Sequence, residues 1–235
     1  KSLMLRVEDL SVSYGSVQAL DGVNLEVGQR GVLHGIIGPN GAGKSTLMDA
    51  ITGRRKPTRG KVFVDGQDIT ERSVRWRRRL GMARSFQRTS IFPGLTVREQ
   101  LELVASELGE PDLDEIIDAF ELRATLDLAA DTIAYGDQRR VDIALAMIGK
   151  PSLMLLDEPA AGLSTTETVS LFQHLQNLVR HRGVTALVVE HDVDAVFGFC
   201  DDVTALDLGR KIMTGKPAEV RSDPRVVSAY LGSAG

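Results

Sequence analysis

The 235-residue chain predicts an α/β fold: a mainly parallel sheet flanked by helices, with an N-terminal antiparallel β layer and a helical insertion. Three observations carry that expectation. Leu5, Val7, Leu10 and Val12, then Val23, Leu25 and Val27 after a turn near Gly15, alternate with polar positions as antiparallel strands with one buried face do. Val32 to Ile37, Leu153 to Leu156 and Ala186 to Val189 are short apolar runs without alternation, the pattern of parallel strands buried on both faces. Stretches of helical period lie between them.

In chain order, the antiparallel layer occupies about residues 1–30. The span from about 71 to 145 changes character: an arginine-rich stretch (Arg72, Arg75, Arg77, Arg78, Arg79) is followed by a polar, helix-forming region. That composition predicts the helical insertion. Trp76 lies among those arginines, a pairing also seen on nucleic-acid-binding surfaces. The acidic balance of the whole favours a solvated helix face instead. The clearest helix runs from Glu167 to about Arg182, with Leu171, Leu175, Leu178 and Val179 on one stripe. Arg180, His181 and Arg182 followed by Gly183 suit its carboxyl end. Residues 1–235 together read as one domain.

Composition narrows the function classes. Hydrophobic residues make up 43% and charged residues 26%, as in ordinary globular proteins, and the net charge of −4 gives no general attraction to nucleic acid or anionic lipid. A single cysteine, Cys200, offers neither an internal disulfide nor a zinc cluster and points to a reducing compartment. No run of apolar residues is long enough to span a bilayer, and the opening KSLMLRVEDL lacks a signal-peptide core. A cytoplasmic or membrane-peripheral location is expected. His34, His174 and His181 have no chemical companions nearby in sequence and read as structural or surface residues.

The chemistry concentrates in two places. Gly38, Pro39, Asn40, Gly41, Ala42, Gly43, Lys44 and Ser45 match the phosphate-loop pattern G-x-x-x-x-G-K-[ST], after an apolar strand and before a helix. The glycines let backbone N–H groups converge on a polyanion, and the helix points its positive end at the same place. Lys44 reaches the β- and γ-phosphates of a nucleotide, and the Ser45 hydroxyl ligates Mg²⁺. The second place is LMLLDE, Leu153 to Glu158, where a buried strand ends in two carboxylates. Asp157 there holds Mg²⁺ through water, and Glu158 polarises an attacking water.

With these motifs the chain resembles the ATPase subunits of ABC transporters along nearly its whole length, which implies a P-loop NTPase core. AYGDQRR (Ala134 to Arg140) stands where that family carries its signature, VEHD puts His191 at the switch histidine, and RSFQ puts Gln87 at the lid glutamine beside Mg²⁺. Tyr14 falls where an aromatic stacks on adenine, and AAGLS follows the catalytic glutamate. The resemblance implies that Tyr14 and residues Gly38 to Ser45 with Thr46 bind ATP. It implies that Lys44, Gln87, Glu158 and His191 are catalytic, and that Ala134, Tyr135, Gly136 and Asp137 reach the nucleotide of a partner subunit. Mg²⁺ falls to Ser45, Gln87 and Asp157.

The implied partners are an identical or paralogous ATPase, membrane permeases, and a periplasmic or extracellular solute-binding protein, at the cytoplasmic face of the cell membrane; nucleic acid is not among them. FQRTSIFPGLTVREQL, DEPAAGLS, Tyr135 and the ending VVSAYLG are most similar to the branch serving branched-chain amino acids, urea and short amides. The ATPase of lipopolysaccharide export shares the YLG ending and is the alternative. A soluble ABC ATPase acting on nucleic acid would carry tandem heads or long insertions that this length does not hold, and Glu158 and His191 argue against a regulator without turnover. Ala134, Ser164 and Leu145 depart from the family pattern of a signature serine, a loop aspartate or asparagine, and an arginine.

Overall fold

β1 (Leu3–Tyr14) and β2 (Val17–Gly28) form an antiparallel hairpin whose inward residues Leu5, Val7, Leu10, Val12, Leu20, Val23, Leu25 and Val27 are all buried. The alternation breaks between Val7 and Leu10 because Asp9 takes a positive φ of 46° in a bulge that restores the inward face. The computed structural model describes residues 3–28, 30–85, 91–110 and 113–232.

β3 (Leu33–Ile37) runs into α1 (Lys44–Thr52), after which β4 (Arg59–Val64) and β5 (Gln67–Asp68) turn back to the hairpin. The resulting sheet has the order β2-β1-β4-β5. The antiparallel layer therefore draws residues 59–68 as well as the first 30, with Val62 and Val64 as its buried positions.

Then follow α2 (Val74–Leu80), β6 (Met82–Ser85), α3 (Val97–Leu108), α4 (Asp114–Ala119), α5 (Tyr135–Met147) and β7 (Leu153–Asp157). The chain continues with α6 (Thr165–Arg182), β8 (Thr185–Val189), α7 (Val193–Phe199), β9 (Asp202–Asp207), β10 (Arg210–Gly215), α8 (Pro217–Ser222) and α9 (Pro224–Gly232). The larger sheet has the order β10-β9-β3-β8-β7-β6; its strands are parallel except for the β9–β10 pair. Residues 71–145 are consequently not all helical, since β6 is an edge strand of this sheet. Its four residues, MARS, are too few to show a periodicity.

The parallel sheet divides two cores. On one side Ile36, Leu153, Leu155, Leu187 and Val189 meet α1 and the antiparallel layer. On the other Leu33, Ile37, Met154, Leu156, Ala186 and Val188 meet the helices from α3 onward. Successive residues of one strand face opposite cores, so each strand reads as an unbroken apolar run. Among the described residues no helix is long and apolar enough to cross a membrane.

The arginine stretch departs from a simple solvated face. Arg72, Arg75 and Arg79 are exposed, but Arg77 is 1% exposed. Its guanidinium donates to the carbonyls of Ala50 (2.9 Å), Ile51 (2.6 Å), Thr70 (2.9 Å) and Arg72 (2.9 Å). Two of these lie in the last turn of α1, at the negative end of the dipole, where the Ala50 carbonyl also accepts from Gly53 N at 3.3 Å. Burial lowers the Arg77 pKa to about 10, with Glu71 opposing the shift. Replacing Arg77 by Met leaves several buried carbonyls unpaired and is expected to cost about 3 kcal/mol, read as a lowered urea midpoint at unchanged slope. A midpoint within error of the parent would show that water replaces the guanidinium.

Candidate nucleotide site

Five strands of the large sheet end at one edge, and the polar motifs lie there. The loop after β3 carries Gly38 to Gly43, and α1 opens with Lys44 and Ser45. Gly43, with φ 101°, sits where a Cβ would fall 2.8 Å from the Ala19 carbonyl. A Cβ on Gly38 would fall 2.4 Å from the Leu206 carbonyl. Both glycines are therefore required by close backbone approach, and the loop curls tightly over the helix start. Lys44 is buried and donates to the carbonyls of Gly38 and, at 3.0 Å, Pro39. Burial lowers its pKa, while Glu158 and Asp157 pull it back. A positive group is thus held inside a ring of backbone, beside two carboxylates.

Asp157 ends β7 next to this loop. Its Oδ2 accepts from Arg84 at 3.1 Å, and the other arm of Arg84 reaches Asp49 at 2.6 Å and Thr52 at 3.1 Å. Glu158 follows with a φ of 48°, a left-handed conformation uncommon for a side chain of its size. Its amide donates to Val189 O at 2.8 Å, tying it to β8. His191, just past β8, places Nε2 at 2.7 Å from Glu158 Oε1. The sequence-separated glutamate and histidine are thus brought into direct contact.

Tyr14 ends β1 with its ring half exposed, and the Arg55 guanidinium stacks on one face at 4.0 Å. The other predicted residues are partly legible. Ala134 is the N-cap residue of α5, and Tyr135, Gly136 and Asp137 form its first turn. The Tyr135 ring lies against Gly162, Gly136 lies beside Glu167, and Asp137 pairs with Arg140. Tyr135 and Gly136 therefore abut the loop that follows Glu158 and the start of α6. Gln87 lies outside the described residues. His34 bonds Thr204 Oγ1 at 2.8 Å inside the sheet, and burial lowers its pKa to about 4, so it is structural.

Three charged residues at this edge lie inside the motifs RSFQ, AYGDQRR and VEHD but drew no role from them. Besides Arg84, Arg139 is fully buried and donates to the carbonyls of Glu158 (2.6 Å) and Pro159 (3.1 Å), joining α5 to the backbone that follows β7. Glu190 is buried between the β7 and β8 ends. Each sits next to a motif residue in sequence or across a strand pair, and only the packing distinguishes it from a solvated charge.

The donor set also bears on Mg²⁺. A small, strongly hydrated cation takes few protein ligands, hard oxygens among them, and keeps water and phosphate for the rest. The exposed Ser45 at the start of α1 and Asp157 at the strand end supply such oxygens, and the residues fit the ion in that mode.

Residues 20–161 match the family described as ABC transporter, and residues 210–235 match the family described as branched-chain amino acid ATP-binding cassette transporter. The chain belongs to the ABC transporter family. The high-affinity branched-chain amino acid transport ATP-binding protein LivG of Escherichia coli (strain K12) is 35% identical over 253 residues, covering 98% of each chain. Its counterpart BraF of Pseudomonas aeruginosa is 34% identical over 256 residues, again with 98% of each chain covered. Among solved structures, the ADP conformation of MJ1267, an ATP-binding cassette of an ABC transporter, aligns at a TM-score of 0.89 and 30% identity, over 99% of this chain and 100% of that one. The dimeric post-hydrolysis state of MJ0796, bound to ADP and phosphate, aligns at 0.77 and 26% identity, over 91% and 99%.

The departures within this ABC ATPase have local explanations. Ser164 is the N-cap of α6: its hydroxyl accepts from Glu167 N at 3.3 Å while Glu167 returns to Ser164 N at 2.8 Å, a reciprocal capping box. Ala134 caps α5 without any side-chain bond. Ala134→Ser is therefore expected to add a cap worth about 1 kcal/mol to thermal or urea stability. Its steady-state ATPase should change by less than about tenfold, because one added hydrogen bond joins donors already present. A hundredfold gain in turnover would show instead that the signature works through that hydroxyl.

Proposed function

We propose that the chain is the ATP-hydrolysing motor of an ABC uptake system for branched-chain amino acids or related small amides. The single observation that carries the catalytic part is the 2.7 Å contact between Glu158 and His191, beside Lys44 and Asp157. Glu158 accepts the proton of the attacking water, and His191 orients that carboxylate and donates toward the γ-phosphate. Lys44 and the loop amides from Asn40 to Thr46 hold the β- and γ-phosphates, so positioning and charge stabilisation dominate. Tyr14 offers its uncovered ring face to the adenine. Mg²⁺ held by Ser45 and Asp157, with Gln87 as a further contact, supplies charge neutralisation at the phosphate oxygens.

Two copies enclose the nucleotide, each phosphate loop facing residues 134–137 of the other. A lone subunit leaves the site open to water and turns over slowly. The C-terminal match to the branched-chain family and the names of LivG and BraF support uptake over lipopolysaccharide export. By the same likeness the subunit works at the cytoplasmic face of the membrane, beneath permeases fed by a solute-binding protein.

The permease contact is proposed at a groove of about 450 Å³ that lies between α2, β6, α3 and α5. Val74, Met82, Phe92, Val104 and Leu145 line it, and Phe92 is 52% exposed. Leu145 thus puts an apolar wall in the groove at a position where the family often has arginine. An exposed aromatic in a trough with apolar walls and a basic rim of Arg54, Arg78 and Arg84 suits a partner's helix.

Glu158→Gln is expected to bind Mg-ATP but hydrolyse it at least ~100-fold more slowly, accumulating an ATP-bound dimer on gel filtration. Near-normal turnover would remove Glu158 from the central role. Phe92→Asp, assayed in vesicles with the permeases, should lower transport at least ~tenfold while the ATPase of the isolated subunit stays within about twofold. Collapse of ATPase and thermal stability together would make Phe92 a core residue.

A further inference from the structure

Glu190 ends the apolar run of β8 and is 2% exposed. A buried carboxylate is costly unless it is paired or hydrogen-bonded. Among the described residues no lysine or arginine pairs with it. Its oxygens go to backbone amides instead: Oε1 accepts from Ala160 N at 2.7 Å, and Oε2 accepts from His191 N at 3.2 Å. Ala160 lies two residues beyond Glu158, and His191 is the residue that touches Glu158. One carboxylate thus spans the two chain segments that bring the glutamate and the histidine together. A packing residue at this position needs no charge, and an apolar side chain would leave both amides without these acceptors.

We propose that Glu190 is a positioning residue that fixes the Glu158–His191 pair by bridging the amides of Ala160 and His191. The inference rests on the catalytic reading of Glu158 and His191 given above. Its chemical content is the number of acceptors. An ionised carboxylate presents two, one to the Ala160 side and one to the turn of His191, where the Asp192 amide also bonds it. A carboxamide presents one, and sets an N–H against the remaining N–H. Burial raises the Glu190 pKa to about 7. The groups facing it are Glu158 from the end of β7, His191 and Asp192 from its own turn, and Cys200 after α7. Assays are therefore placed at about pH 8, where the ionised form predominates.

The test compares Glu190→Gln and Glu190→Asp in the full chain, reading ATPase and, separately, the dissociation constant of a fluorescent ATP analogue. Glu190→Gln should lower kcat by at least ~tenfold with nucleotide affinity within about threefold, because phosphate binding lies on the other loop. Glu190→Asp keeps both acceptors on a shorter arm and should recover part of that loss. In a His191→Ala background, Glu190→Gln should cost less than about threefold, since the pair it positions is already broken. Glu158→Gln is run alongside. If that variant is inactive while Glu190→Gln keeps kcat within about threefold of the parent, the positioning role is overturned and the catalytic reading stands. If Glu158→Gln itself turns over normally, the catalytic reading falls first. Parallel loss of kcat, affinity and thermal stability in Glu190→Gln, unrelieved by aspartate, would also overturn the proposal, as a merely structural residue behaves that way.

Discussion

Enclosing a parallel sheet on both faces leaves its strands no exposed surface except their ends. β3, β7 and β8 are buried throughout, with alternate residues given to the two cores. Polar chemistry can therefore be placed only where each strand leaves the sheet. Parallel pairing then brings those exits to one edge. The register aligns Ile36 with Val189 and Val189 with Asp157. The phosphate loop is consequently a neighbour of the two carboxylates and of His191, although it lies more than a hundred residues before them in sequence. Their proximity follows from the hydrogen-bond ladder.

The edge is crowded with charge, and the protein manages it with backbone and with buried cations. Lys44 is caged by loop carbonyls, Arg84 answers Asp157 and Asp49, and Arg139 holds the carbonyls of Glu158 and Pro159. Each such group loses hydration, so its burial is favourable only because its donors are nearly all matched. Rigidity is the return. Arg139 belongs to α5, whose first turn carries residues 134–137. A shift of that helix would therefore pull directly on the backbone of Glu158. The left-handed backbone at Glu158 is held by Arg139, by the Val189 carbonyl and by the Ala161 amide, while His191 holds its side chain.

Much of this was legible in the sequence, for a physical reason in each case. The phosphate loop announces itself because close backbone approach demands glycines at fixed positions, and α6 because its stripe, basic end and Gly183 agree. Buried strands show as apolar runs. β5 and β6 are too short to carry a period, and β4 pairs with a hairpin that lies before the phosphate loop in sequence, so local pattern cannot reach them. Arg77, Arg84, Arg139 and Glu190 were illegible as buried groups. A charged residue advertises exposure in composition, and only tertiary contacts reveal that its donors or acceptors are consumed by carbonyls and amides.

The helix starts at positions 134 and 164 complete the argument. Both positions depart from the family pattern, and each opens a helix. At α6 the side chains of Ser164 and Glu167 satisfy the end groups locally, so that helix start is closed to an outside ligand. At α5, Ala134 supplies no such acceptor, so no cap side chain takes the first-turn N–H groups. In the proposed dimer the γ-phosphate of the partner's nucleotide meets backbone donors rather than a hydroxyl. An alanine is tolerable there because the anion itself becomes the cap. On that account nucleotide binding in the dimer and completion of the α5 start are one event, and Arg139 carries its consequence to the backbone of Glu158.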